Sequence, residues 1–195
     1  MQTTTRFAAL LSVAFLAACA GPAERADAAQ ADPVRLNPAG AYLAGRHAQQ
    51  QHDYAAAADF FGQTLREDPD DFDLMNRTFR LELTEGEWDK VRALAPKIIE
   101  REPHDPLAGL YLSLEAVKRG DFAAADREAT DLPEEGLHRL ATPLVQAWIK
   151  LGLGRYEDVA KELAPMGEVR GFGTLRDLHW AAIADLAGDT KTATV

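Results

Sequence analysis

Few side chains in this sequence are suited to nucleophilic chemistry. The only cysteine is Cys19, and the only serine beyond residue 18 is Ser113. A lone cysteine forms neither an internal disulfide nor a multi-thiolate metal site. No phosphate-binding G-x-x-x-x-G-K loop occurs in the chain. A serine or cysteine hydrolase and a phosphate-loop enzyme are therefore not expected, and the sequence predicts a protein that is not an enzyme.

The histidines and acidic residues form no recognised metal-binding pattern. None of the five histidines makes an H-x-x-x-H or H-E-x-x-H pair, and His47 and His52 do not share one helical face. The acidic run 68–73 looks like a calcium loop but lacks its glycine and closing glutamate. The formal net charge of −10 opposes binding to nucleic acid. No metal, cofactor or small-molecule substrate is therefore expected.

The N-terminus is typical of an export signal that ends just before Cys19. Residues 7–18 form an apolar run after Arg6 that is too short to cross a bilayer. Residues 16–19, Leu-Ala-Ala-Cys, resemble the lipobox of bacterial lipoproteins, in which the cysteine is acylated. The resemblance implies a signal peptide over 1–18 and a lipidated Cys19. The alternative is an ordinary secretory signal that leaves a free thiol.

The segment 19–37 is predicted to be a flexible tether. It is rich in alanine, proline and charge, and it has no large apolar residue before Val34, so it cannot bury a core. By resemblance to enterobacterial sorting, Ala20 after the cysteine favours the outer membrane over the inner, with the protein facing the periplasm. The acidic surface would be repelled by anionic lipid, so the acyl chains would have to hold the protein at the membrane.

A turn pattern recurs at a constant interval through the rest of the chain. It occurs at 52–54, 86–88, 120–122 and 154–156, each time ending in an aromatic residue, and a fifth turn at 188–190 lacks the aromatic. Asp53 is suited to cap the following helix, and Gly86 to the left-handed turn that ends the preceding one. The aromatic residue is expected to pack into the angle between the two helices. Each unit is predicted to be a helix, a turn, a helix and a short link.

Prolines predict several helix ends. Three pairs place a capping residue before a proline at the first helical position, namely Asn37-Pro38, Asp105-Pro106 and Thr142-Pro143. Pro69 and Pro103 should end the second helices of their units, and Pro133 and Pro165 should do the same further along. Pro96 lies inside a predicted second helix and should kink or shorten it.

The period and the turn resemble the tetratricopeptide repeat (TPR) family, whose helix–turn–helix units are about 34 residues long. Ala57 and Phe61 match the A-x-x-x-F pair of the family's second helix, and Gly45 and Pro69 stand at the family's spacing. The resemblance implies an all-α fold over 38–195, a right-handed superhelical solenoid of stacked antiparallel helix pairs. Its units would cover about 38–69, 70–103, 104–137, 138–171 and, incompletely, 172–195. Ser113 falls at the family's small packing position.

The TPR resemblance also implies a binding groove, because the first helix of each pair lines the concave surface in that family. The family's register gives as groove residues Tyr42, Arg46, Gln49, Asn76, Arg80, Leu110, Leu114, Val117, Leu144, Trp148 and Leu151. The groove thus changes from polar and basic to apolar. Trp148 is the main candidate anchor, with a groove closed by its own apolar residues as the alternative. Arg46 and Arg80 could meet an acidic peptide.

Together these patterns resemble a TPR lipoprotein of a Gram-negative bacterium. The expected function is a lipid-anchored adaptor or scaffold of the cell envelope that binds a protein or peptide partner in the groove. Similar lipoproteins serve outer-membrane, pilus or secretion assembly. The alternative is the N-terminal repeat region of a longer envelope enzyme with its catalytic part beyond Val195, and the incomplete fifth unit favours a fragment.

Overall fold

The described part of the chain is helical. A computed structural model describes residues 36–130, 132–133 and 135–194. Within these residues all regular structure is helical, which confirms the all-α prediction, and consecutive helices pack against each other. The predicted signal peptide, Cys19 and nearly all of the tether lie outside the described residues, so those assignments stay predictions.

The described residues form alternating first and second helices. The first helices are α1 (Pro38–Gln50), α3 (Phe72–Glu85), α5 (Pro106–Lys118), α7 (His138–Gly152) and α9 (Gly173–Ala187). The second helices are α2 (Tyr54–Glu67), α4 (Trp88–Arg101), α6 (Phe122–Ala129) and α8 (Tyr156–Gly167), and their starts are evenly spaced along the chain. A short 3-10 turn, Thr192–Thr194, follows α9. None of these helices is both long enough and apolar enough to cross a membrane.

Polar side chains start several helices where the sequence predicts them. Asn37 accepts a hydrogen bond from the amide of the third residue of α1 at 2.7 Å. Asp105 accepts from two amides at the start of α5, and Asp53, Asp71 and Asp121 each accept from one amide of α2, α3 and α6. These bonds satisfy amides that have no partner within the helix, so they fix where each helix begins.

The predicted start at Thr142-Pro143 is wrong. Helix α7 begins earlier, at His138, and both Thr142 and Pro143 are buried inside it. The turn before α7 contains Gly136 with a φ of 55°, and this turn starts the helix ahead of the proline. Because proline has no N–H group, Pro143 leaves the carbonyl of Arg139, four residues earlier, without its helical hydrogen bond. Arg139 lies in the first turns of α7 and is exposed.

The other prolines have unequal effects on the second helices. Helix α6 ends ahead of Pro133, and α8 ends two residues after Pro165, as expected. Pro96 lies inside α4, yet α4 runs for 14 residues, so the predicted shortening does not occur. Arg92 and Pro96 are both exposed, which places the carbonyl that loses its amide partner on the solvent side of α4.

Residues with a left-handed backbone conformation form the turns that follow the first helices. Gly86, Gly120, Gly154 and Gly188 have φ values of 72° to 82°, which confirms the expected use of glycine. The first turn has His52 in the same place, with a φ of 61°, and it is the one non-glycine residue with positive φ in the described chain. A side chain in this conformation is strained because its Cβ crowds the following carbonyl oxygen.

The aromatic residues after the turns contact the next helix pair. The sequence predicts packing only within their own pair. Trp88 of α4 stacks on Tyr111 of α5, with ring centroids 6.5 Å apart. Phe122 of α6 lies so close to Gly152 of α7 that a Cβ there would overlap its ring. These rings therefore join successive pairs.

The core consists of three clusters of buried side chains along the helices. The first covers α1 to α5 and contains Phe61 and Phe79, the second covers α5 to α7 around Ile149, and the third covers α7 to α9 around Ile183. Full burial of a side chain of this size contributes about 1.5–3 kcal/mol. Gly45 lets α1 approach α2 closely, since a Cβ there would lie 2.8 Å from the Phe61 ring.

Candidate partner-binding surface

The eleven predicted groove residues all lie on first helices. They are Tyr42, Arg46 and Gln49 on α1, Asn76 and Arg80 on α3, Leu110, Leu114 and Val117 on α5, and Leu144, Trp148 and Leu151 on α7. We call this set the first-helix surface. None of the eleven is buried, whereas Ala41, Gly45 and Ala48 on another face of α1 are. The first-helix surface therefore remains accessible from α1 to α7.

The polar part of the first-helix surface lies on α1 and α3. Its side chains bond to each other along each helix. Arg46 donates to the hydroxyl oxygen of Tyr42 at 3.4 Å, and Nε of Arg80 donates to Oδ1 of Asn76 at 3.2 Å. Both pairs are four residues apart and face the same side of their helix. Each of the two guanidinium groups thus bonds to a neutral partner on its own helix.

A single side-chain hydrogen bond joins α1 to α3. Nη1 of Arg77 donates to Oε1 of Gln49 at 3.1 Å, and the guanidinium carbon of Arg77 lies 5.4 Å from the centre of the Phe61 ring. No Cα atom of α1 comes within 8 Å of a Cα atom of α3. Long side chains therefore bridge a gap between these two first helices.

The gap forms an open pocket of about 140 Å³, which we call the basic pocket. Its lining residues are Gln49, Tyr54, Arg77, Arg80, Leu81 and Thr84. The structure thus brings together two predicted residues, Gln49 and Arg80, and adds four that the repeat register does not select. Arg77 and Arg80 are three residues apart and share a face of α3, and this spacing was the sequence signal available for Arg77.

The apolar part of the first-helix surface lies on α5 and α7. Leu110 and Val117 pack against the second core cluster, and Leu144 and Leu151 pack against the third. Leu114 projects furthest, with 47% of its surface exposed. Helix α5 contacts α7 directly, and α7 contacts α9. The apolar part is therefore continuous and mostly closed by its own side chains.

Trp148 is half-buried in the apolar part, and its N–H group is already bonded. Nε1 donates to Nδ1 of His179 on α9 at 3.0 Å, and the two rings meet edge to face with centroids 6.1 Å apart. No periodic pattern in the sequence links the two residues. The indole N–H is therefore occupied, and the ring is the part of Trp148 that remains for contact with a partner.

An ion pair between a buried Glu82 and a half-exposed Lys90 joins α3 to α4. The Glu82 side chain is 2% exposed, with Nζ of Lys90 at 3.2 Å from Oε1, and Nζ also lies 3.4 Å from Oδ1 of Asp59. Oε2 of Glu82 has no hydrogen-bond partner in the described chain. Burial raises the pKa of Glu82 above its ordinary value, and the attraction of Lys90 opposes that shift.

The remaining candidates for chemistry have local structural partners or lie outside the described residues. Ser113 is fully buried, and its Oγ donates to the carbonyl of Ala125 at 3.1 Å, as a packing residue would. Among the described residues no group of three or more His, Cys, Asp or Glu is placed to hold a metal ion. Cys19 is not among the described residues.

Comparison with known proteins yields no match. No protein-family model, no curated protein and no solved structure matches the chain.

Proposed function

We propose that the chain is a lipid-anchored adaptor or scaffold of the bacterial cell envelope. It is built as a TPR-type solenoid whose helix pairs stack with a right-handed superhelical twist. A protein or peptide partner binds along the first-helix surface, and Cys19 carries the acyl anchor in the outer membrane, facing the periplasm. Assembly of outer-membrane, pilus or secretion complexes is the setting that such a protein would serve.

One observation carries the binding function: the first-helix surface stays unburied over four helices while the residues beside it are buried. A helix that serves only to fill a core would bury its large apolar residues. Leu114 and Trp148 instead remain partly accessible, at the apolar end of a surface whose other end is basic. An exposed apolar side chain gains free energy when a partner buries it, and tryptophan is enriched among the residues that dominate interface binding.

The solenoid part of the proposal has local support from the helices. Successive second helices start at one constant spacing, and each described turn between the helices of a pair holds a left-handed residue. Each helix packs on the next one in the chain. Stacked pairs that contact mainly their neighbours are the defining feature of repeat arrays.

The binding function is tested by truncating Trp148 in the full chain. We expect Trp148→Ala to lower the yield of the main partner in in-cell crosslinking about tenfold or more, which is the effect of losing an interface anchor. Trp88→Ala is the matched control, since Trp88 is a 54% exposed tryptophan on a second helix. An unchanged partner yield with Trp148→Ala, or an equal loss with Trp88→Ala, would contradict the assignment.

The anchor is tested separately by metabolic labelling with an alkynyl fatty acid. The parent chain should be labelled and should sediment with membranes, and Cys19→Ser should be unlabelled. A parent chain that takes up no label would show that the lipobox resemblance is misleading, with no bearing on the binding surface.

A further inference from the structure

The basic pocket concentrates positive charge in an acidic protein. Two of its six lining residues are arginines and none is acidic, although the chain has a net charge of −10. Several other cations of the described chain, such as Lys90, Arg92 and Lys150, are paired with carboxylates. A basic pocket without lining carboxylates favours an anionic ligand.

Arg77 is oriented but has no counter-ion. It is half-buried, its guanidinium lies over the Phe61 ring, and one of its N–H groups bonds to Gln49. No carboxylate of the described residues comes within ion-pair distance of it. A partly desolvated guanidinium with fixed orientation binds an incoming carboxylate at little extra entropic cost.

Arg80 has a carboxylate nearby that is already engaged. Its Nη2 lies 3.9 Å from Oδ2 of Asp105, which is a long contact, and the Arg80 side chain is 55% exposed. Oδ1 of Asp105 accepts hydrogen bonds from the amides of Leu107 and Ala108 at the start of α5. Asp105 therefore serves mainly to cap α5, and Arg80 retains donors for a ligand in the basic pocket.

The strained His52 lies next to the basic pocket. Its place is taken by glycine in the other four turns, yet its φ is 61°. Its Nδ1 lies 3.2 Å from the hydroxyl of Tyr54, and Tyr54 lines the pocket. A left-handed side chain in a turn where the other repeats have glycine is a candidate for a functional role. His52 holds the Tyr54 hydroxyl at the edge of the pocket.

We propose that the basic pocket binds carboxylate side chains of an acidic segment in the partner protein. Arg77 and Arg80 are the direct ligands, and His52 is a positioning residue that acts through Tyr54. This inference rests on the proposed function, because it names the partner chemistry at the polar part of the first-helix surface. The apolar part then binds a separate, apolar segment of the same partner.

A peptide fits the basic pocket better than a free inorganic anion does. The pocket is open, has a volume of about 140 Å³ and includes the apolar side chain of Leu81. Two planar guanidinium groups pair bidentately with carboxylates and with phosphates alike, so the apolar part of the lining is what favours a peptide. The methylene groups of a glutamate can lie on Leu81 while its carboxylate faces Arg77 and Arg80.

The inference is tested with a rhodamine-labelled, end-blocked tetraglutamate peptide and the purified full chain. Fluorescence anisotropy at low salt should show saturable binding of this peptide, with no saturable binding of the matched tetraglutamine peptide. Inorganic phosphate should compete only weakly. Failure of tetraglutamate to bind, or equal binding of tetraglutamine, overturns the proposal. Phosphate that binds more tightly than tetraglutamate also overturns it, in favour of a phosphate site.

Charge-matched variants locate the site. Arg77→Gln and Arg80→Gln should each weaken tetraglutamate binding about tenfold, because each removes a charge-assisted pair. Arg119→Gln removes the same charge from an exposed position outside the pocket and should change binding less than twofold. An equal loss in all three variants would mean that general electrostatics, rather than the pocket, binds the peptide.

The positioning role of His52 has its own readout. His52→Gly should weaken tetraglutamate binding about threefold while thermal stability stays equal or rises, because glycine relieves the strained φ. In a Tyr54→Phe background the same substitution should have no further effect on binding. A His52→Gly variant that binds fully, or one that loses binding equally in both backgrounds, contradicts the role.

Failure of this inference is distinguishable from failure of the proposed function. If tetraglutamate does not bind but Trp148→Ala still abolishes partner crosslinking, only the acidic-segment inference falls. If Trp148→Ala leaves crosslinking unchanged while tetraglutamate binds as expected, the pocket stands as an anion site and the adaptor function falls.

Discussion

The polar and apolar parts of the first-helix surface belong to similar helix pairs, yet their first helices meet in different ways. Helices α1 and α3 stay apart and are joined by the hydrogen bond from Arg77 to Gln49. Helices α7 and α9 contact directly and are joined by the bond from Trp148 to His179. A gap bridged by polar side chains leaves an open pocket, whereas direct contact leaves a nearly closed apolar face. The described helices thus present two kinds of surface, one open and polar and one nearly closed and apolar.

One packing residue per first helix differs in size between the two parts of the molecule. Phe79 on α3, Ser113 on α5 and Ala147 on α7 hold the same position in successive units, and all are fully buried. A phenyl ring takes much more space than a hydroxymethyl or methyl group. Phe79 is the largest of the three and lies in the first core cluster. Helix α3 approaches neither α1 nor α5 within 8 Å between Cα atoms.

The largest effect should follow from removing the largest of these packing side chains. Phe79→Ala is expected to lower the free energy of unfolding by about 3–5 kcal/mol, because it leaves a cavity in the first core cluster. Denaturant unfolding followed by circular dichroism measures the loss. Hydrogen exchange with mass spectrometry should place faster exchange in α1 to α4 and leave α8 and α9 near their parent rates.

Ile149→Ala is the matched variant in the apolar half. It should lower the free energy of unfolding by about 2–5 kcal/mol and should accelerate hydrogen exchange around α5 to α7 instead. If both variants accelerate exchange equally in every helix, the array unfolds as one unit and the two halves are not energetically distinct. A loss below about 1 kcal/mol for Phe79→Ala would show that its ring contributes little to the stability of the first core cluster.

A moderate effect is expected from cutting the bond between α7 and α9. His179→Leu keeps an apolar contact but removes the acceptor for the half-buried N–H of Trp148. It should therefore lower the free energy of unfolding by about 1 kcal/mol. Its counterpart Gln49→Met cuts the bond between α1 and α3 and should cost less than about 0.5 kcal/mol, because the half-exposed Arg77 can rehydrate. Urea unfolding measures both losses of stability. Equal losses for the two variants would show that the α7–α9 contact and the α1–α3 contact do not differ in energy.

The smallest effect is the pH dependence caused by Glu82. Because its pKa in the folded chain is raised, the folded state favours the protonated form, and this stabilisation is lost as the pH rises through the folded pKa. Glu82→Gln lacks the titration. The variant should therefore gain stability relative to the parent as the pH rises above the ordinary pKa of a glutamate.

Thermal unfolding of both proteins at several pH values measures this difference. Glu85→Gln is a matched control on the exposed side of α3, and its stability difference from the parent should not rise with pH in the same way. A parent chain that becomes more stable than Glu82→Gln with rising pH would show that the attraction of Lys90 outweighs burial.

Local rules explain which parts of the fold the sequence could predict. The caps at Asn37 and Asp105 and the left-handed turns depend on residues within one turn of the chain, so spacing alone locates them. The prediction failed at Thr142-Pro143 because an earlier turn at Gly136 had already started α7. The turn at Gly136 and the Thr142-Pro143 pair are both local signals for a helix start, and the sequence pattern does not show which of them prevails.

Contacts between helix pairs explain what the sequence could not predict in the candidate site. The repeat register placed Gln49, Arg80 and Trp148 on first helices, but it carries no information on the distance between those helices. Arg77 reaches Gln49 only because α1 and α3 stand apart, and His179 reaches Trp148 only because α7 and α9 are close. The His52 departure was visible in the turn series, although its contact with the pocket was not.

The most direct test of the partner-binding surface is site-specific photo-crosslinking in the cell. A photoreactive phenylalanine derivative would replace Leu114, the most exposed leucine of the first-helix surface, and Ala93, an exposed residue of the second helix α4, as the matched control. We predict a discrete crosslinked partner at position 114 that is lost with Trp148→Ala, and no such product at position 93. Crosslinking at position 93 alone, or equally at both positions, would contradict a partner bound along the first helices.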